Sequence, residues 1–216
     1  MKTVNNRCVR LLSATMVTIA VLGIAAFAQD ESSAEKRFRL TSRTFANDTF
    51  LPISTINNIP VNGKNSCSIN GAPGGNQSPE LSWTGAPPDT RSFVVTLYDV
   101  TAAFTHWGMY NISGDRTGLP ENAGVPGSSY GAQIVNDFFV GAEYDGPCPP
   151  ANVTPYVHHY VFTVYALDID LELPSSANFP ASAETLYQAL IEAGKYRHIL
   201  ASASLTGFYS TTPSAK

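Results

Sequence analysis

Glycine and proline recur at short intervals along this chain, sixteen and fifteen times respectively. Such punctuation leaves room for short strands joined by turns and little room for long helices. The runs between the breakers fit that reading. Ser92 to Asp99 (SFVVTLYD) is apolar on both faces, as a central strand is; Phe104 to Ile112 reads as another, and the stretch Thr154 to Asp168 places two adjacent histidines at the mouth of a third, buried strand. FRLTSRTF, residues 38–45, alternates weakly and suggests an N-terminal strand, INGAPGGNQSPE an extended loop, and SASLTGFYS, residues 202–210, a final strand. Ser182 is placed to cap a helix over about Ala183 to Glu192, whose apolar stripe is Leu186, Ala189 and Leu190. Gly194 is placed to end or bend it, with a second helical turn around Tyr196 to Leu200. Residues 113–155 form a connection so long that it is either functional or hides an element.

The first 28 residues have a different character. Lys2, Arg7 and Arg10 precede an apolar run from Leu11 to Phe27, and Ala26-Phe27-Ala28 supplies a small-residue cleavage site. This is the pattern of a secretory signal peptide, and a retained membrane anchor is the alternative. The predicted organisation is therefore a signal peptide (1–28), a flexible N-terminus (29–36), one domain (37–212) and a tail (213–216), with secretion or a periplasmic location and no stable membrane insertion after cleavage. Cleavage removes three basic residues and no acidic ones from a chain of net charge −4. Such an acidic exported domain argues against nucleic acid as a partner.

Cys8 leaves with the signal, so Cys67 and Cys148 remain. In an oxidising compartment the pair reads as a disulfide, with two separate buried thiols as the alternative. Closing a loop of about 80 residues contributes roughly 4–5 kcal/mol in the chain-entropy description. Two cysteines make no structural zinc site without histidine help.

Alternation along a strand sorts the candidate polar residues, because residues two apart share a face. His158 sides with Tyr160, Phe162 and Val164, whereas His159 sides with Val161, Thr163 and Tyr165. By the same rule His106 shares a face with Phe104, Gly108 and Tyr110, opposite Trp107 and Met109. Asp99 ends its strand on the face of Phe93, Val95 and Leu97.

Several separated motifs, in order, resemble the bacterial-type phosphatidylethanolamine-binding protein family, also called Raf-kinase-inhibitor-like proteins. They are Leu40-Thr41-Ser42 with Phe45, Cys67, Asn76 to Trp83, Asp99, His106-Trp107 with Tyr110-Asn111, Leu119-Pro120, Asn136-Asp137-Phe138, Gly146 to Pro150, and His158 to Phe162. The resemblance implies a mainly β fold, a large sheet packed on a smaller one, with a C-terminal helix. It also implies a small pocket built from Asp99, His106, Gly146, Pro147, His158 and Tyr160, with His159 on the opposite face. Imidazole N–H, phenol O–H and backbone N–H donors from a glycine turn suit a phosphate-type anion, and Asp99 suits a histidine partner or an ammonium. The implied partner is a small anionic or zwitterionic ligand such as a phospholipid headgroup, with no cofactor. Inhibition of a protease or kinase, and phosphoester hydrolysis through His106 and His158, are the alternatives. The chain departs from the family pattern where Thr101 replaces a second aspartate and Phe139 an expected glycine.

Three blander readings complete the set. Asp99, His106 and His158 have the residue types of a metal triad but no local spacing signal, so no metal is expected. Gly127 to Gly131 matches G-x-S-x-G without the strand and helix that a nucleophile elbow needs. His198 reads as a packing residue, and Trp83 and Trp107 as core aromatics.

Overall fold

The computed structural model describes residues 37–176 and 178–213. The predicted signal peptide, the segment 29–36 and residues 214–216 of the predicted tail lie outside the described residues. In chain order the strands are β1 (Arg39–Thr41), β2 (Thr49–Phe50), β3 (Pro60–Val61), β4 (Lys64–Asn65), β5 (Leu81–Thr84), β6 (Ser92–Asp99), β7 (Phe104–Ser113), β8 (Gly118–Leu119), β9 (Ala132–Gln133) and β10 (His158–Leu167). Helix α1 (Ala183–Lys195) and β11 (Ile199–Tyr209) follow. The large sheet has the order β2-β11-β10-β6-β7-β9, the small one β1-β5-β8, and β3 and β4 form a separate hairpin.

The two faces of the large sheet are covered differently. Phe93, Val95 and Leu97 of β6, with Phe162 and Val164 of β10, pack toward Leu40, Leu81 and Trp83 of the small sheet. Val94 and Leu167 pack with Leu186, Leu190 and Ala193 of α1 on the other side. This double covering is why β6 is apolar on both faces: seven of its eight residues are buried. Burying each of the apolar ones, Phe93, Val94, Val95 and Leu97, contributes roughly 1.5–3 kcal/mol. Trp83 and Trp107 are both core residues, and their indole N–H groups donate to the Arg116 carbonyl (2.9 Å) and to Gln133 Oε1 (2.7 Å).

The long connection hides two elements: β8 completes the small sheet and β9 forms one edge of the large one. Each is two residues long, too short for alternation to reveal. Only Arg39–Thr41 of the predicted N-terminal strand pairs, against β5. Gly127 to Gly131 is turn and bend, followed by the two-residue β9.

The helix starts as predicted, with Ser182 and Thr185 forming a reciprocal capping box, but it runs on through Gly194. Its end is set at Arg197, which takes the left-handed conformation (φ 63°). Arg197 N–H donates to the Gly194 carbonyl at 3.1 Å and His198 N–H to the Ala193 carbonyl at 2.8 Å, a two-bond closure of the last turn. The expected second turn over 196–200 does not form, because β11 begins at Ile199. His198 instead bonds Asp168 through Nδ1 at 2.9 Å.

Candidate functional site

Three adjacent strands converge on one hollow. Tyr160 of β10 lies directly across from Asp99 of β6, and Asp99 lies across from Phe104 of β7. The hollow, about 190 Å³, is lined by Asp99, His106, His158 and Tyr160, with Phe104 and Phe138 among its aromatic walls. Cys148, Pro149 and Pro150 close another side, and Ala102 and Pro150 are exposed at its rim. A small concavity with mostly apolar walls and a few convergent polar groups is the usual form of a small-molecule site. A larger groove of about 450 Å³ on the opposite face, lined by residues such as Thr96, Tyr98, Thr105 and Tyr187, contains none of the histidines.

His158 arrives by simple alternation. Along β10 His158, Tyr160, Phe162 and Val164 are buried and His159 is exposed, its ring 4.7 Å from that of Phe208. His158 Nδ1 is 2.6 Å from Asp99 Oδ2, with both side chains buried. Asp99 Oδ1 accepts the backbone N–H groups of Thr101 (2.9 Å) and Ala102 (3.1 Å). The carboxylate is therefore occupied by three donors.

His106 arrives by a different device. Leu97 pairs with Trp107 and Tyr98 with Thr105, so His106 is the extra residue of a β-bulge. This corrects the alternation reading of β7. His106 shares the hollow with Phe104, but Trp107 and Met109 lie in the core on that same side. Gly108 faces the side chains of Leu186 and Ile134, and Tyr110 packs with the helix cluster. His106 Nδ1 is 2.8 Å from the backbone oxygen of Asp145. Burial is the chief reason its pKa lies below the ordinary histidine value, opposed by the Asp145 carbonyl, by the charges of Asp99 and Asp145 and by the Gly146 backbone.

Asp145 is itself held by a web that sequence reasoning missed. Its Oδ1 accepts from Asn57 Nδ2 and Asn76 Nδ2, both at 3.3 Å, and its Oδ2 from Asn136 Nδ2 at 2.9 Å. Asn76 and Asn136 belong to motifs noted in the sequence, but only the fold shows that they meet one buried carboxylate. Phe104 was signalled by its place two residues before His106; Phe138 had no signal beyond its motif.

Gly146 and Pro147 stand behind the wall rather than in it, so the expected glycine-turn donor is not on offer. Gly146 N–H donates to Asn76 Oδ1 at 2.7 Å, and a Cβ there would lie 2.0 Å from the Thr55 carbonyl oxygen. Close backbone packing thus explains this glycine. Pro147 accepts Asn57 N–H at 3.2 Å. Thr101, at the position of the missing aspartate, accepts the backbone N–H of His159 at 3.0 Å.

The Tyr160 hydroxyl is buried with no partner at hydrogen-bonding geometry, although the Asp99 carboxylate lies near enough to act on it. Its pKa is pushed well above the ordinary tyrosine value, first by burial and then by the neighbouring Asp99 carboxylate. Its ring meets both imidazoles, edge-on to His106 at 5.3 Å and stacked with His158 at 6.3 Å. Cys67 and Cys148 are disulfide-bonded, which ties the wall of the hollow to the segment after β4. Among the described residues no group of three or more His, Cys, Asp or Glu side chains is arranged to hold a metal ion. None of their helices is long and apolar enough to cross a membrane.

Comparison with known proteins agrees with this architecture. The phosphatidylethanolamine-binding protein family pattern matches residues 41–210. This chain belongs to the phosphatidylethanolamine-binding protein family. Within that family it is 35% identical over 147 residues to the UPF0098 protein YbhB of Escherichia coli, covering 65% of this chain and 85% of that one. It is 36% identical over 146 residues to YbcL of the same organism, covering 64% and 74%. The crystal structure of E. coli YbcL, described as a member of the mammalian family, superposes with a TM-score of 0.62 at 31% identity, covering 81% of this chain and 98% of that one. Asp99, His106, His158 and Tyr160 all fall inside the family match.

Proposed function

We propose that this family member is an exported binding protein that holds a small oxyanion, of the phosphate type, in the hollow between β6, β7 and β10. The observation that carries the reading is the Tyr160 hydroxyl: a buried donor without a partner, in the wall of a hollow that also contains two imidazoles. Leaving such a group unpaired is costly, and a ligand oxygen would satisfy it. Both imidazoles are anchored through Nδ1, which directs Nε2 to ligand.

The anionic form of the ligand is better supported than the zwitterionic one, because Asp99 already receives three donors and Thr101 is bonded to His159. The name of the family would suggest an ethanolamine headgroup, yet Thr101 is turned to the His159 backbone and Asp99 keeps only about one of its lone-pair sites for an ammonium. Export is supported by the signal-like sequence of residues 1–28 and by the Cys67–Cys148 bridge, which suits an oxidising compartment. A protease or kinase partner has no specific observation behind it.

Titration of the protein with inorganic phosphate, followed by calorimetry, tests the reading. His158→Ala should weaken binding about ten- to a hundredfold, the worth of one charge-assisted hydrogen bond, and His159→Ala should leave it unchanged. Equal losses at the two positions, or none at either, would overturn it.

A further inference from the structure

The hollow is an unusual place for an anion, because none of its lining residues is a lysine or arginine. Any positive charge must come from the imidazoles. Each presents its Nδ1 to an atom that only accepts: the Asp145 carbonyl for His106 and the Asp99 carboxylate for His158. In His106, Nδ1 therefore keeps its proton in both charge states, and the nitrogen that titrates is Nε2. An oxyanion placed against a bare Nε2 would set lone pair against lone pair.

Resting on the oxyanion reading above, we propose that the hollow takes up its anion together with one proton, which settles on Nε2 of His106. The free site then has a neutral His106, and the bound site an imidazolium donating to the ligand. The groups around His106 fit this switch. Phe104 on its own strand and Phe138 are uncharged rings at 4.9 Å and 5.4 Å. Tyr160 of β10 meets it edge-on. Asp99 of β6 and Asp145 of the segment behind it are the charges that act on it, with His158 beyond Asp99. Burial holds the unliganded ring below its ordinary proton affinity despite those carboxylates. An anion in contact adds a further negative charge and tips the balance toward protonation.

The consequence is a selection by chemistry. A phosphate monoester, whose second proton leaves near neutral pH, can carry the needed proton in as the monoanion. A sulfate has none to bring, so the protein must draw it from solvent. In both cases one N–H bond forms on His106: the phosphate monoanion gives up its own O–H proton and binds as the dianion, whereas with sulfate the proton leaves hydronium or the buffer acid, and no other bond is made or broken.

Calorimetric titration of the full protein with sodium sulfate, in buffers of different ionisation heat from about pH 5.5 to about pH 8, counts the protons. The expected result is uptake of about one proton per sulfate at the alkaline end, with affinity falling about tenfold for each pH unit there. Inorganic phosphate, able to arrive as the monoanion, should show smaller uptake from buffer where that form prevails. In protein carrying nitrogen-15 histidine, the His106 Nε2 resonance should move from the bare to the protonated position on adding sulfate at alkaline pH, a readout that needs no variant. His106→Gln, neutral at every pH, should bind sulfate with about one proton less taken up at the alkaline end than the unsubstituted protein. Binding that is flat with pH in the unsubstituted protein, or a His106 Nε2 that stays bare in the complex, overturns the proton linkage while leaving the oxyanion site standing. No binding of either anion at any pH overturns the site itself.

Discussion

Strands β7 and β10 each deliver one imidazole to the same hollow, and they hold it in different ways. His158 sits on the natural inward face of β10 and is fixed by a side chain from the next strand, Asp99, at 2.6 Å. His106 sits at a bulge in β7 and is fixed by a backbone carbonyl whose own segment is kept in place by buried polar contacts. The first arrangement is local to the sheet. The second depends on residues that lie as far apart in the chain as Asn57, Asn76, Asn136 and Asp145. The β7 side should therefore be the easier to disturb from a distance.

The largest disturbance is removal of the disulfide. Replacing both Cys67 and Cys148 by serine releases a loop of 81 residues' separation and should cost about 4–5 kcal/mol in the chain-entropy description. Urea unfolding measures that loss. In whatever fraction stays folded, the His106 resonances should broaden before those of His158, since Cys148 follows the segment that anchors His106. Simultaneous broadening would remove the distinction between the two sides.

Asn136→Ala is the next probe. It takes away the shortest of the three amide donors to Asp145, together with a bond to the Glu143 carbonyl at 3.0 Å. Leaving a buried acceptor short of a donor costs on the order of 1–3 kcal/mol, which chemical denaturation would read. The His106 Nδ1–H should shift with it, because the Asp145 carbonyl moves with its side chain's anchorage, while the His158 Nδ1–H bond to Asp99 should not. An unchanged His106 signal would show that the bulge holds itself without the web.

The same contrast explains how much could be read beforehand. The exposure of His159 and the burial of His158 followed from a two-residue period, and β6 was bounded at the same residues by its β-branched and aromatic run. The bulge at His106 escaped because alternation carries no mark of an inserted residue; even so, its sharing a face with Phe104 was legible, because the alternation breaks only after it, at Trp107. The Asp145 web escaped for another reason: four polar residues spread over 57–145 have no shared period, and only the folded chain brings them together. Gly146 was read as a ligand-facing turn, whereas its lack of a side chain answers to the Thr55 carbonyl. The helix end was misplaced at Gly194 because glycine is the usual left-handed residue, and here Arg197 takes that conformation.

Tyr160 joins the two sides, since its ring touches both imidazoles, and Tyr160→Phe gives the smallest and most selective test. The substitution keeps the ring and both aromatic contacts and deletes only the unpartnered oxygen. Removing an unpaired buried polar atom should leave folded stability unchanged or raise it by up to about 1 kcal/mol. Losing a neutral donor to the anion should weaken phosphate binding about two- to tenfold. Thermal unfolding and phosphate titration on the same sample separate the two effects. A marked loss of stability would mean that the hydroxyl serves the fold, and an unaltered affinity would mean that it never reaches the ligand. The predicted combination, a protein at least as stable and a weaker grip, is what an oxygen reserved for a ligand produces, because the folded state bears the cost of an unmet donor that only binding removes.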